Sequence, residues 1–252
     1  MYPHEYVTLS RLEEDYWWYV GLKRLVLSMV RKYAPLNAAS KVLDIGCGTG
    51  GTLSFFEEQE PGPRFYGVDL SPLAIDLARE RCRSTLVRGS VNELPFPAAF
   101  FDLAISLDVF YIQGVDDEKA LQEAFRVLKP GGSFILNLPA WECLRGEHDL
   151  AVHTRHRYRV PELREKLKQA GFQIRRLTYW NAFLFPLIFA ARRVLRAAKP
   201  HFKIPTSDLK PLPPFLNEGL KSVLELERWM VLNFNLPLGS SVLAVVERPT
   251  EK

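Results

Sequence analysis

The sequence predicts an α/β fold, a mostly parallel sheet with helices on both faces. Three observations carry the prediction. Short apolar segments alternate with amphipathic helical segments along most of the chain. The Phe101–Leu107 segment is almost wholly apolar, as burial on both faces of a sheet requires. A glycine cluster follows the first apolar segment, and open parallel sheets bind their ligands beyond the carboxyl ends of the strands.

The elements follow in order. Residues 10–33 read as a helix with an aromatic start, Tyr16-Trp17-Trp18-Tyr19. Lys41–Ile45 reads as the first strand and Phe65–Val68 as the second. Pro72–Arg83 reads as a helix, with Leu73, Leu77 and Ala78 as its apolar positions. Thr85–Val87 is a short third strand and Phe101–Leu107 the fourth. Asp117–Leu128 is helical and ends at the breaker Lys129-Pro130-Gly131-Gly132. Ser133–Leu138 is the fifth strand, Val160–Ala170 a helix ended by Gly171, Phe172–Tyr179 the sixth strand and Ser241–Glu247 the last. A tight connection before the last strand needs only a few residues. Here residues 180–240 intervene, punctuated by Pro200, Pro205, Pro211, Pro213 and Pro214, so a helical insertion is expected. Its second helix is Phe215–Phe234, with Leu216, Leu220, Leu224, Glu227 and Val231 at helical spacing.

Bulk properties narrow the class. The 252 residues are 47% hydrophobic and 25% charged, which is ordinary for a globular protein with a packed core. A formal charge of +4 does not by itself imply a nucleic-acid partner. Cys47, Cys82 and Cys143 have no ligand-like spacing, so neither a zinc site nor a disulfide framework is expected. The opening residues lack a basic segment followed by an apolar core, and no apolar run is long enough to span a bilayer. A cytoplasmic location is the expectation.

The segment Asp44-Ile45-Gly46-Cys47-Gly48-Thr49-Gly50-Gly51 carries the chemistry. Its glycines let the backbone turn sharply and approach a ligand. Gly46, Gly48 and Gly51 also satisfy the G-x-G-x-x-G spacing of a dinucleotide site. Charge argues against that reading. A dinucleotide would place its pyrophosphate at this turn, where the Asp44 carboxylate would oppose it. A ligand with an ammonium group suits Asp44 better, and S-adenosylmethionine has an ammonium and a sulfonium. Asp69, after the second strand, would take ribose hydroxyls in either cofactor class.

These residues resemble the motifs of class I S-adenosylmethionine-dependent methyltransferases. Asp44-Ile45-Gly46-Cys47-Gly48-Thr49-Gly50 is similar to their first motif, and Asp69 to their acid after strand two. Gly89-Ser90-Val91-Asn92-Glu93-Leu94-Pro95-Phe96 resembles their adenine-side loop. Phe101-Asp102-Leu103 and Val127-Leu128-Lys129-Pro130-Gly131-Gly132 resemble their later motifs, in order, over about residues 40–140. The resemblance implies a Rossmann-like, seven-stranded sheet with the last strand antiparallel. It implies S-adenosylmethionine contacts at Asp44, Gly46, Cys47, Gly48 and Gly50 in the glycine turn. Further contacts are implied at Asp69, Leu70, Ser90, Val91, Leu107 and Asp108, with Trp18 from a covering N-terminal helix. Two positions depart from the pattern. Ser90 stands where relatives often carry Asp, and Tyr111-Ile112 where they often carry Glu-His. The chain also resembles a subgroup with an N-terminal Trp-Trp-aromatic stretch, a His-Asp before a basic Arg-Tyr stretch, and a closing Leu-Pro-x-Gly-x-Ser. Here these are Trp17-Trp18-Tyr19, His148-Asp149, Arg155-His156-Arg157-Tyr158 and Leu236-Pro237-Leu238-Gly239-Ser240-Ser241. In place of that subgroup's Gly-Arg-Arg the chain has Gly21-Leu22-Lys23-Arg24.

The acceptor side is read from the histidines. His148, His153 and His156 fall within Gly146–Tyr158, after strand five and on the cofactor side of the sheet. One of them as general base would serve a hydroxyl acceptor. Tyr111, Asp149, Arg157 and Tyr158 are the accompanying substrate candidates. The same stretch also reads as a polar, solvated loop leading into the helix at Pro161, and His148, Asp149 and His153 as a metal set without diagnostic spacing. No metal is assigned.

From Lys166 to Ser207 there are nine Lys or Arg and no acid. Ala182–Ala191 is nearly all apolar, and Arg192, Arg193, Arg196 and Lys199 follow. Residues 182–203 thus suggest contact with an anionic membrane surface, or an apolar side packed on the protein with solvated arginines. The aromatic interleaving of a nucleic-acid platform is missing, so no nucleic-acid partner is expected. The expected organisation is an N-terminal helical lid over 1–38, a cofactor core over 39–180, a helical insertion or substrate cap over 181–240, and the last strand with its tail over 241–252. The expected function is methyl transfer to a small molecule or a lipid- or glycan-linked acceptor, most simply at oxygen. The alternatives are a non-catalytic S-adenosylmethionine-binding module and a nicotinamide oxidoreductase.

Overall fold

The computed structural model describes residues 3–198 and 211–250, with the side chains of 193–198 left aside. Its strands are β1 Lys41–Ile45, β2 Arg64–Asp69, β3 Thr85–Arg88, β4 Phe101–Leu107, β5 Leu128–Pro139, β6 Gln173–Trp180 and β7 Ser241–Glu247. They form one seven-stranded sheet in the order β3-β2-β1-β4-β5-β7-β6. β7 runs antiparallel to both β5 and β6, and the remaining pairs are parallel. The order reverses between β1 and β4, which is the switch point where ligands bind in such sheets.

The helices are α1 Pro3–Leu12, α2 Trp17–Tyr33, α3 Gly51–Gln59, α4 Pro72–Arg79, α5 Asp117–Val127, α6 Glu147–Ala151, α7 Val160–Gln169, α8 Phe185–Ala198 and α9 Pro214–Asn233, with a 3-10 turn at Glu142–Leu144. Local chemistry sets several ends. Ser71 caps α4 by accepting the Ala74 N–H at 3.3 Å, with Pro72 in the first turn. Asp116 caps α5 by accepting the Lys119 N–H at 3.2 Å.

Alternate side chains of the strands feed two cores, one on each face. Leu43, Ile45, Ala104 and Phe134 face the side covered by α5 and α7. Val42, Leu103, Ile105 and Val245 face the side that holds α2, α3 and α9. This is the two-sided burial that the apolar strand segments predict.

Three expectations are corrected. The helix expected over 10–33 is broken at residues 13–16, because the Asn217 side chain, two hundred positions away, caps the Trp17 N–H at 2.9 Å. The Lys-Pro-Gly-Gly breaker does not separate helix from strand. β5 starts at Leu128, and its irregular register with β4 between Phe101 and Leu103 absorbs the glycines. The insertion expected to cap a substrate divides in two. α9 packs on α2, with Leu224 seated where a side chain at Gly21 would stand, and of the two described helices α8 is the one that lines the cavity. Glu227 of α9 is buried and accepts the N–H groups of Ala182 and Phe183 at 2.9 and 3.0 Å, fixing the start of the insertion.

The α2–α9 contact therefore holds the N-terminal helix on the sheet. Leu224→Ala is expected to cost about 2–5 kcal/mol in urea unfolding, the range for a buried leucine whose site cannot fully collapse. A loss below half a kcal/mol would show that α9 is not part of the core.

Candidate cofactor and acceptor site

β1 ends in a turn that only glycines tolerate. Gly46 has φ +80°, and a Cβ there would lie 2.4 Å from the Val109 side chain. Gly48 has φ +52°, and a Cβ there would meet open space. The N–H groups of Gly46 and Cys47 both bond to the Val68 carbonyl of β2, at 2.7 and 3.0 Å. The Gly48 N–H bonds to Asp69 Oδ2 at 3.0 Å, and Asp69 Oδ1 accepts the Ser71 N–H at 2.9 Å. Above this turn lies a cavity of about 620 Å³. That volume is within the range of small-molecule sites.

Its acids are buried. Burial pushes Asp44 up to about 8, helped by Asp69 and Glu13. Burial also raises Asp69, against the opposing N–H bonds from Ser71 and Gly48. Asp108 follows β4 in the left-handed region, φ +60°. Burial pushes it up to about 7, opposed by hydrogen bonds from Asn137 and Trp18 and by the Arg157 charge. Asn137 Nδ2 donates to Asp108 Oδ1 at 2.8 Å, and Trp180 Nε1 donates to Asn137 Oδ1 at 2.7 Å. Trp180 in turn stacks on Trp18, with centroids 4.7 Å apart and an interplanar angle of 17°. A cation between these carboxyls would favour their charged forms.

The structure adds residues that the sequence reading missed. Glu13, in the break between α1 and α2, is buried; it accepts bonds from Thr49 Oγ1 and Arg81 Nη1. Lys23 of α2 lines the cavity and donates to the Glu13 carbonyl at 2.9 Å, while Arg24 is exposed. Burial lowers the Lys23 ammonium. The Gly21-Leu22-Lys23-Arg24 run contained this signal, but helical phase was needed to choose between the two basic residues.

Most of the sequence-predicted positions come together. Asp44, Gly46, Cys47, Gly48, Asp69, Leu70, Ser90, Val91, Leu107, Asp108 and Trp18 all line the cavity, as do Tyr111, His148, Asp149 and Arg157. Gly50 does not. It makes the left-handed entry to α3, tight against Ala78. Arg157 and Asp149 satisfy each other, at 2.8 Å for Nε–Oδ1 and 3.1 Å for Nη2–Oδ2, and Arg157 Nη1 holds the Ala140 carbonyl at 2.9 Å.

The other histidines and Tyr158 lie elsewhere. His156 Nε2 is 2.7 Å from Glu162 Oε1, outside the cavity lining. His153 forms a left-handed turn residue whose carbonyl accepts the Gln113 N–H at 2.8 Å, and it too is absent from the lining. Tyr158 is fully buried in the core, donating to Asp117 Oδ2 at 2.5 Å. These three are corrected from site candidates to structural residues, and of the three candidate histidines His148 lines the cavity. Among the described residues, no cluster of three His, Cys, Asp or Glu could hold a metal.

The raised carboxyls give a signed expectation. Their folded values lie above the ordinary carboxylate range, so the ligand-free folded chain holds protons that the unfolded chain has released. Its stability falls as pH rises from about 5 through 8. A cationic ligand opposes this trend, because it binds the ionised form, and its affinity rises as the pH climbs through about 7 and 8. Thermal melts with and without S-adenosylmethionine across this range check both trends. A ligand-induced shift in Tm that is flat with pH would contradict them.

Comparison with known proteins accords with this geometry. The family model described as a methyltransferase domain matches residues 43–136. The malonyl-[acyl-carrier protein] O-methyltransferase of Herminiimonas arsenicoxydans is 32% identical over 178 residues, covering 66% of this chain and 65% of the relative. The demethylmenaquinone methyltransferase of Thermus thermophilus is 32% identical over 105 residues, covering 40% of this chain and 47% of the relative. The chain spans about half the length of the first curated relatives it matches. A solved Thermotoga maritima structure, described as an S-adenosylmethionine-dependent methyltransferase and possible histamine N-methyltransferase, superposes with a TM-score of 0.58. It is 18% identical and the match covers 97% of this chain and 95% of that one, a likeness of fold. Residues 43–136 are a methyltransferase domain, set in the Rossmann-like seven-stranded fold shared with solved S-adenosylmethionine-dependent methyltransferases.

Proposed function

We propose that the chain transfers the methyl group of S-adenosylmethionine to a small molecule or a lipid- or glycan-linked acceptor, at oxygen. One observation carries the reading. A single cavity joins the glycine turn and Asp69 to Tyr111, His148 and Asp149, so donor and acceptor would share one space. Asp44 and Lys23 suit the ammonium and carboxylate of the methionine part, Asp69 the ribose hydroxyls, and Ser90 and Val91 the adenine side. The cofactor supplies an activated methyl group, and the protein aligns an acceptor with it. A hydroxyl acceptor would lose its proton to His148 or to Asp108, whose carboxyl is poised at about 7.

Calorimetric titration of S-adenosylmethionine and, separately, NAD into the wild type and Asp69→Ala tests the cofactor assignment. The expected result is binding of S-adenosylmethionine alone, weakened ~10- to 150-fold in Asp69→Ala, the loss of hydrogen bonds to a charged group. Preferential NAD binding would overturn the charge argument at Asp44.

A peripheral membrane contact through α8 is also supported. The exposed face of α8 and its lead-in is apolar, with Phe183 at 44% and Leu187 at 65% exposure. Arg192 lines the cavity. Residues 199–203 of the segment expected to contact the membrane lie outside the described residues. No helix among the described residues is long and apolar enough to cross a membrane. Sedimentation with phosphatidylglycerol vesicles should show binding that falls with salt and on Leu187→Asp. Salt-insensitive binding, or none, would sink this contact.

A further inference from the structure

Past the glycine turn the cavity continues over the ends of β5, β7 and β6. Its lining there includes Asn181, Ser241, Tyr111 and Thr154, together with Ile188 of α8. Two polar atoms in this chamber have no hydrogen-bond partner among the described residues, Thr154 Oγ1 and Asn181 Oδ1. Both residues are deeply buried, at 6% and 1% exposure.

The rest of each residue is committed. The Thr154 N–H bonds to the Asp149 carbonyl at 2.7 Å, and the Thr154 carbonyl accepts from Arg145 Nη1 at 2.8 Å. Only the hydroxyl is left. Asn181 Nδ2 donates to Ser240 Oγ at 2.7 Å, which leaves its oxygen. Asn181 is also held at φ +57°, a conformation that aspartate and asparagine tolerate better than most residues.

A buried, unpaired hydroxyl or carbonyl is costly, and nearly all such groups in folded proteins find a partner. Valine has almost the shape of threonine and would remove the cost at 154. A chain that keeps two such atoms in the lining of one cavity has an outside partner for them. The ion pair beside Thr154 does not ask for a charged one. Arg157 and Asp149 neutralise each other.

We propose that this chamber seats an uncharged, hydroxyl-bearing head of the acceptor. Asn181 Oδ1 accepts from one hydroxyl, and Thr154 Oγ1 bonds a second polar atom. Tyr111 and Ile188 form apolar walls on which the acceptor's carbon skeleton packs. The inference rests on the methyltransferase reading for its meaning, and names the class of acceptor that reading leaves open.

The test is calorimetry with three eight-carbon probes below their micelle concentrations: octyl glucoside, octyl phosphate and octylamine. Each is titrated into the protein with and without S-adenosylhomocysteine. Octyl glucoside is expected to bind best. Thr154→Val should weaken it ~3- to 10-fold, the net worth of one hydrogen bond, while Thr154→Ser retains it. Thr154→Val should leave Tm unchanged or raise it, because the fold makes no use of the hydroxyl. Preference for octyl phosphate or octylamine, equal binding to wild type and Thr154→Val, or a Tm lowered by several degrees in Thr154→Val would each overturn the proposal. Failure of S-adenosylhomocysteine to bind would sink the cofactor reading alone, since the probe series on the unloaded protein still decides this one.

Discussion

Two backbone N–H groups, from Gly48 and Ser71, converge on the Asp69 carboxylate and tie the turn after β1 to the end of β2. The Val68 carbonyl reinforces the tie by accepting from both Gly46 and Cys47. Two parallel strands thus share one rigid rim. A rim built from N–H groups alone would attract anions. Filling it with a carboxylate consumes those donors and changes the preference to hydroxyl and cationic groups. The conformations at Gly46 and Gly48 make this approach possible, since a side chain at Gly46 would collide with Val109.

A second set of contacts transmits order across the sheet. Asp108 on β4's end, Asn137 on β5 and Trp180 on β6 are joined by hydrogen bonds, and Trp180 stacks on Trp18 of α2. The indole N–H of Trp180 fixes which way the Asn137 amide faces, and so directs its NH₂ to Asp108. Helix α2, strands β5 and β6 and an acid of the cavity lining are therefore one unit. Packing of α2 on α9 and sharing of Glu227 with the start of the insertion extend that unit to the last helix.

The insertion serves two tasks through two helices. α9 supplies apolar surface to the core, and Asn217 from its first turn caps α2. α8 gives its Ile188 and Arg192 side to the cavity and an apolar side to the exterior. The end of the cavity proposed for the acceptor is accordingly built from parts distant in sequence, the loop before α7, the end of β6, the residues preceding β7 and α8. The cofactor end is built from the consecutive β1–β2–β4 region.

That contrast explains what was legible in the sequence and what was not. The strand–helix alternation, the switch point and the glycine turn with its strand-end acids follow from local rules, because such turns and acids do their work within a few residues of each other. The antiparallel last strand came from family resemblance, and the sheet bears it out. The tertiary structure decided matters that depend on side chains meeting across the chain. It broke the first helix with a cap from Asn217, chose Lys23 over Arg24 and brought in Glu13. It also turned His156 toward Glu162 and put Tyr158 into the core beside Asp117. A histidine or tyrosine in a polar loop has the same sequence signature whether it faces a ligand or a carboxylate. Only the packed fold, which sets the partners within hydrogen-bond reach, distinguishes the two.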